Sequence, residues 1–498
     1  MASLPAHIRS FFDPETYPHP AERIEMIQTH ISWVFLAGDY AYKLKKPVDF
    51  GFLDFTTLAK RKHFCERELE LNQRTSPEIY LGVLPVCASG TTFALGGSGN
   101  IVDYCLKMHR FSQSNLLDRR LKACNFDDSW MDSLAADCAR FHKSSEPNRE
   151  INHISLLKGH IETNLEVASK HASSGLNRQT IIALSEFAAA ELPRLRPLLE
   201  ERQQMGHIRH CHGDLHLKNI TLIDGHPHLF DCIEFNDDFS TIDTMNDVAF
   251  LIMDCDAHLR PELGMRFLSR YLEFSGDYNG LRLLPLYLFY RASVRGKVAC
   301  LLADELEGKE CELQLLEAGK YFDLALSYSK KRSNCLFAIG GLSGSGKSHL
   351  ALLGCGIESA VVIRSDATRK RIALSYPELE LYGREMHTNT YKAVFDAARV
   401  ALSAGFSVIL DATFIHPDSR SQLKAVADSC HTPLHFFWLD IDESILRERI
   451  SQRESAANDI SDADLRVLEL QLAEYRRPEE PWIQFLSSNS SWPEHNTS

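Results

Sequence analysis

Residues 210–219 read "HCHGDLHLKN", and twelve positions past Asn219 stands Asp231. The spacing His212-x-Asp214-x-x-x-x-Asn219, closed by a later aspartate, is the pattern a phosphoryl-transfer site needs. Asp214 is placed to take the proton of an attacking hydroxyl. Asn219 and Asp231 offer oxygens to Mg2+, which offsets the charge on the transferred group. Between them "ITLIDGHPHLF" (220–230) alternates around Asp224-Gly225, which predicts a hairpin flanked by the loop and the metal aspartate. His212 reads as a brace for the loop rather than as a base.

A second stretch carries a different phosphate chemistry. "GGLSGSGKS" (340–348) contains Gly341-x-x-x-x-Gly346-Lys347-Ser348, after the apolar run "CLFAI" and before a helical pattern. Glycines at 341, 344 and 346 let backbone N–H groups wrap phosphates at a helix N-terminus. Lys347 reaches the outer phosphates and Ser348 binds Mg2+. Downstream, "VVIRSDATRKR" and "VILDATF" each end a strand on an aspartate, Asp366 and Asp411. Asp411 fits either a magnesium role or a helix cap. "LRERISQR" places Arg449 and Arg453 one turn apart on a helix.

Composition bounds the possibilities. At 498 residues the chain exceeds one core. The sequence predicts a first domain over 1–330, a second over 331–486, and a disordered tail, "SSNSSWPEHNTS", over 487–498, with the polar run at 329–334 as linker. In the first part "SWVFLAGDYAYKLKKPVDF" (32–50) predicts a hairpin about Gly38-Asp39, and "KRKHFCERELELNQRT" (60–75) a helix. In the second, strands alternate with helices, which predicts a parallel sheet. "DISDADLRVLELQ" (459–471) predicts a helix with N-cap residues at its start.

The net charge of −13 argues against nucleic acid or anionic membrane as the main partner. Thirteen scattered cysteines, an odd number without a C-x-x-C pair, fit reduced thiols rather than a disulfide framework. The first twenty residues hold no apolar core of signal-peptide length, and no apolar run approaches membrane-span length. A cytoplasmic protein is expected.

The 210–231 block resembles the aminoglycoside phosphotransferase family, within the protein-kinase-like fold. The H-G-D form, and "CIEF" after Asp231 where protein kinases have F-G, point to small-molecule kinases. The resemblance implies a third-strand lysine that grips ATP phosphates and pairs with a helix glutamate. In "AYKLKK", Ala41-x-Lys43 fits that lysine, with Lys45 on the same strand face. Glu68, or else Glu66, would be its partner. A G-x-G-x-x-G lid before Lys43 is missing, so the phosphate cover is built differently. Asp247 resembles the aspartate that orients the catalytic loop. Arg291 and Arg295 read as internal partners of Asp243 or Asp247.

Residues 335–480 resemble the P-loop kinase group that includes phage polynucleotide kinase, zeta toxins and AAA-labelled small kinases. That likeness implies Asp366 as general base, Arg369 as acceptor holder, and Arg449 and Arg453 as a lid on the transferring phosphate. The whole is similar to bacterial proteins described as bifunctional aminoglycoside phosphotransferase and ATP-binding protein. The expected fold is therefore a kinase-like α+β module followed by an α/β P-loop module. The expected cofactors are ATP and Mg2+, with nucleotide and small-molecule substrates as partners. Two rivals stay open: an ATP-gated regulator with a weak N-terminal kinase, and a nucleic-acid end kinase in the C-terminal half.

Overall fold

A computed structural model describes residues 4–51, 53–172, 175–330, 333–456, 465–488 and 491–495. After a short helix α1 (Ala6–Ser10) come strands β1 (Ile24–Gln28), β2 (Ser32–Ala37) and β3 (Tyr40–Lys45), then helix α2 (Leu58–Asn72). Strands β4 (Tyr80–Ser89), β5 (Thr92–Leu95) and β6 (Asn100–His109) complete an antiparallel sheet in the order β1-β2-β3-β6-β4-β5. The β2–β3 hairpin turns at Gly38, whose φ of 58° suits a two-residue turn. Alternation along β3 sorts the sheet's two faces. Tyr42 and Leu44 join Phe11, Trp33 and Phe35 in one core. Ala41 turns to the other face, with Leu106 and Leu69 of α2, and Lys43 and Lys45 share its phase.

Four helices follow: α3 (Leu117–Lys122), α4 (Ser129–Ser144), α5 (His153–Lys170) and α6 (Arg178–Gln204). Strand β7 (Ile208–His210) leads into the 210–219 loop. The hairpin β8 (Ile220–Ile223) and β9 (His226–Leu229) is the expected one, with positive φ at both Asp224 and Gly225. A turn of helix, α7 (Asp237–Ser240), precedes β10 (Thr241–Asp243), which pairs with β7. Helices α8 (Thr244–Ala257), α9 (Pro261–Ser275), α10 (Leu284–Asp304) and α11 (Gly308–Ser327) then run to the linker. In α10, Gly296 lets the helix approach α11: a Cβ there would lie 2.7 Å from the Phe322 ring.

The last third alternates as expected. Its elements are β11 (Leu336–Gly340), α12 (Lys347–Ile357), β12 (Val361–Arg364), α13 (Ser365–Ala373), α14 (Arg384–Ser403) and β13 (Val408–Asp411). Then come α15 (Pro417–Ser429), β14 (Leu434–Leu439), α16 (Glu443–Ala456), α17 (Leu465–Glu474) and β15 (Ile483–Leu486). The strands are parallel in the order β12-β13-β11-β14-β15. The first three strands in that order are buried at every residue, as a parallel sheet covered on both faces requires. The expected N-cap residues of α17 fall at 457–464, outside the described residues.

The chain divides into two compact units: residues 1–130, 141–156 and 198–247, and residues 131–140, 157–197 and 248–498. This division does not fall at the expected boundary near 330. Helices α9 to α11 group with the parallel sheet, because α9 is buried along most of its length and packs on α12 and β12. The linker reading at 329–334 lies partly on 331–332, outside the described residues. The tail expected to be disordered is packed where it is described. The Trp492 ring lies 5.4 Å from those of Phe337 and Phe437, and its indole N–H donates to Glu358 Oε1 at 2.7 Å. Its polar composition concealed one large aromatic with a site to fill. Among the described residues no helix is long and apolar enough to cross a membrane.

Candidate nucleotide sites

The first site is assembled from charges that are distant in sequence. Lys43 Nζ on β3 donates to Glu68 Oε1 at 2.7 Å and to Asp231 Oδ1 at 2.5 Å. Glu66, the alternative partner, faces outward beside Lys62 at 3.6 Å. Burial disfavours the charge of Lys43, but Asp231 and Glu68 outweigh it and hold its pKa well above the ordinary value. Sequence reading missed a second pair beneath the first. Lys45, fully buried, donates to Glu68 Oε2 at 2.8 Å and also bonds Glu234 Oε1. Burial pushes Glu234 up, and Lys45 offsets this only in part. One signal was present, because Lys45 shares Lys43's strand phase, but nothing in the sequence marked Glu234.

The loop that carries Asp214 is held from behind. Asp247 Oδ2 and Oδ1 accept from His212 N at 3.0 Å and Gly213 N at 2.9 Å, as expected for the loop-orienting aspartate. His142 of α4 bonds the same carboxylate at 3.1 Å, a contact no motif announced. Gly213 has φ of 83°, and a Cβ there would meet Phe239 O at 3.0 Å. His212 Nε2 bonds Phe230 O at 2.9 Å while its Nδ1 receives Asp214 N at 3.3 Å, the pattern of a neutral ring. Burial lowers its pKa accordingly. It is a brace. Asn219 Nδ2 donates to Asp214 Oδ2 at 2.9 Å, which leaves its carbonyl oxygen for a cation. Asp231 adopts φ of 65°, a strained angle for a non-glycine residue. Its N–H is pinned by Tyr80 Oη at 2.9 Å, and the next amide by Asn72 Oδ1 at 2.9 Å. Asp243 is held by Arg202 of α6 through two 2.7 Å bonds, a partner the sequence did not suggest. Arg291 lies over the Phe250 ring.

The second site is a cavity of about 580 Å3 around the glycine loop. Gly341, Gly344 and Gly346 take φ of 140°, 82° and 92°. A Cβ on Gly341 or Gly344 would come within 2.9 Å of a carbonyl oxygen, so only glycine fits this cradle. Ser345 Oγ is buried there with no partner among the described residues, which suits a loop built around phosphate. Lys347 Nζ bonds Leu342 O at 2.9 Å, and Ser348 Oγ donates to Asp411 Oδ2 at 2.6 Å. Burial raises the pKa of Asp411. Asp366 Oδ1 accepts from Arg369 at 2.8 Å, and Arg369 lies over the Tyr382 ring. Arg449 donates to Ser345 O at 3.2 Å. Arg453 stands one turn on in α16, but its side chain lies outside the described residues. Gln471, His387 and His416 are among the lining residues that the sequence reading did not name. Gln471 of α17 bonds both Ser343 N and Ser343 Oγ, at 2.8 and 2.9 Å. His387 and His416 also line the cavity, their rings 5.4 Å apart.

These are two phosphotransferase-type nucleotide sites on unrelated folds, a protein-kinase-like one and a P-loop one. Residues 82–284 match the "Phosphotransferase enzyme family" and residues 336–478 an "AAA domain" family. The chain is 30% identical over 447 residues to "Uncharacterized protein Rv2004c" of Mycobacterium tuberculosis (strain ATCC 25618 / H37Rv), covering 88% of this chain and 87% of that one. It belongs to the family of that protein. Two solved structures are similar to parts of the chain. Aminoglycoside 2'-phosphotransferase-IIIa is 13% identical, covering 62% of this chain and 94% of its own, with TM-score 0.39. A gluconokinase from Sinorhizobium meliloti 1021 is 21% identical, covering 31% and 83%, with TM-score 0.25. The phosphotransferase family match covers the first of the two sites, and the chain is an ATP-dependent phosphotransferase.

Proposed function

We propose that each site moves the γ-phosphate of ATP onto a hydroxyl group of its own small-molecule acceptor. The observation that carries this reading is Lys43 bonded between Glu68 and Asp231, residues up to 188 positions apart. At the first site Asp214 takes the acceptor proton and Lys43 steadies the phosphates. Asn219 and Asp231 would hold Mg2+, which supplies neutralisation of charge on the phosphates. At the second, Lys347 meets the outer phosphates, and Ser348 and Asp411 fit a second Mg2+. Asp366 is the base for the acceptor hydroxyl, Arg369 holds the acceptor, and Arg449 and Arg453 close on the transferring group.

One feature favours a second reading, an ATP-responsive regulator. The β1–β2 turn at residues 29–31 has no glycine, and Ser32 N is tied to Thr29 Oγ1 at 3.0 Å. A stiff turn makes a poor moving lid. The test uses full-length protein with Asp214→Ala or Lys347→Ala, assayed against a broad panel of hydroxylated compounds. Two working kinases require that each variant lose a different set of phosphorylated products. ATP binding at the first site without any Asp214-dependent product supports the regulator instead.

A further inference from the structure

We propose that Glu273, on α9, is a positioning residue of the P-loop site that aims Asp366 through Arg364. The inference rests on the reading of that site as a phosphoryl-transfer site.

Strand β12 lies at the edge of the parallel sheet, so its outward amides need partners from elsewhere. Ser269 of α9 supplies one: its Oγ accepts from Val362 N at 3.0 Å. One turn on, Glu273 receives the fork of the Arg364 guanidinium. Nε bonds Oε1, and the second nitrogen donates to Oε2 at 2.5 Å. Arg270 adds a bond to Glu273 Oε2 at 3.1 Å and is itself held by Asp132 Oδ1 at 3.1 Å. Glu273 and Arg364 are 6% and 7% exposed. Burial works against the Arg364 charge, but the bond to Glu273 prevails and raises its pKa. The fork is committed to Glu273, although Arg364 also lines the nucleotide cavity.

What the fork fixes is a corner. Arg364 ends β12 and is the N-cap position of α13, where it makes no side-chain cap. Its register partner across the sheet is Asp411. Two residues on, Asp366 stands in the first turn of α13. A bidentate arginine–carboxylate pair sets direction as well as distance. Here it sets the corner from which Asp366 reaches the cavity. Misplacing a reacting group by about 1 Å can cost about 10²-fold in rate. Glu273 stands 91 positions from Arg364, in the part of the chain that reads as the other half.

The test uses the full chain with Asp214→Ala, so that only the P-loop site turns over. Glu273→Gln strands the buried charge of Arg364 and can unfold the protein. The deciding variant is therefore Glu273→Leu with Arg364→Met, since replacing a buried ion pair by apolar side chains is often neutral for folding. With Tm nearly unchanged and the Kd of Mg·ATP within about twofold, turnover should fall about 10- to 100-fold. Turnover is read as phosphoryl transfer to water or to any panel acceptor that responds. Amide exchange should quicken over residues 361–369 and not over 341–348. A folded double variant with normal turnover and normal exchange overturns the proposal. If the parent protein shows no turnover at this site, the functional reading fails separately and exchange decides: local quickening supports the positioning role, and none overturns it.

Discussion

The two nucleotide sites are suited to the same phosphates but are built from different materials. The C-terminal one is mostly backbone: three glycines at positive φ, a buried serine hydroxyl, and one lysine resting on its own loop carbonyl. The N-terminal one is mostly side chain. Two lysines face three carboxylates, Glu68, Asp231 and Glu234, with one carboxylate in excess. A backbone cradle favours anions by itself. A cluster with surplus negative charge accepts a triphosphate well only once a divalent cation has joined it. Metal dependence should therefore be the sharper property of the N-terminal site.

The largest expected effects test whether each site has one acceptor-facing base. Asp214→Ala and Asp366→Asn should each lower turnover at their own site about 10²–10⁴-fold, with nucleotide Kd little changed. Single-turnover assays beside calorimetric titrations read both quantities. Wild-type turnover in Asp366→Asn removes it as the base.

Next in size are the phosphate contacts, where the two materials should diverge. Lys347→Ala removes the main side-chain cation of the glycine loop and should cost about 10²–10³-fold in turnover, with weakened ATP binding whether or not Mg2+ is present. Asp231→Asn should weaken binding only when Mg2+ is present, because the lost group serves the metal. Chelation should reproduce the Asp231 effect at the N-terminal site in the Lys347→Ala background. Equal metal dependence at both sites would break the comparison.

The same contrast governs what could be read from sequence. The glycine loop is one continuous word: a backbone cradle needs its residues adjacent, so 341–348 announced itself together with its strand and helix. The catalytic loop with Asn219 and Asp231 was nearly as legible, because a hairpin fixes that spacing. Buried charge is different, since a partner can come from anywhere in the fold. Glu68 was found only because the family resemblance calls for a helix glutamate, and it left Glu66 as an alternative. Glu234, His142, Arg202 and Glu273 had no motif to mark them. The boundary near 330 was inferred from polarity alone, while the buried Glu273–Arg364 pair ties α9 to the parallel sheet.

A stability experiment sharpens that point. Lys45 is fully buried between Glu68 and Glu234, so Lys45→Met leaves Glu234 buried without its cation, while Glu68 keeps Lys43. A loss of about 3–5 kcal/mol is expected. Adding Glu234→Met should recover much of it in denaturant titrations. If the single substitution is silent, the inner pair does not carry the N-terminal site.

The smallest effect concerns protons. His387, which lines the cavity, has a pKa lowered to about 4 by burial, with the nearby His416 and Arg369 adding to it. The unfolded chain would bind a proton near 6.5. Between these values the unfolded state holds more protons than the folded one, so stability rises with pH. The contribution is complete above about 6.5 and is lost as pH falls toward 4. The ring is only partly buried, so the slope should amount to a fraction of one proton. Denaturant midpoints from pH 4 to 7 should therefore show a shallower acid limb in His387→Gln than in the parent. An unchanged limb would mean that His387 titrates normally. The imidazole would then be charged over the lower half of that range.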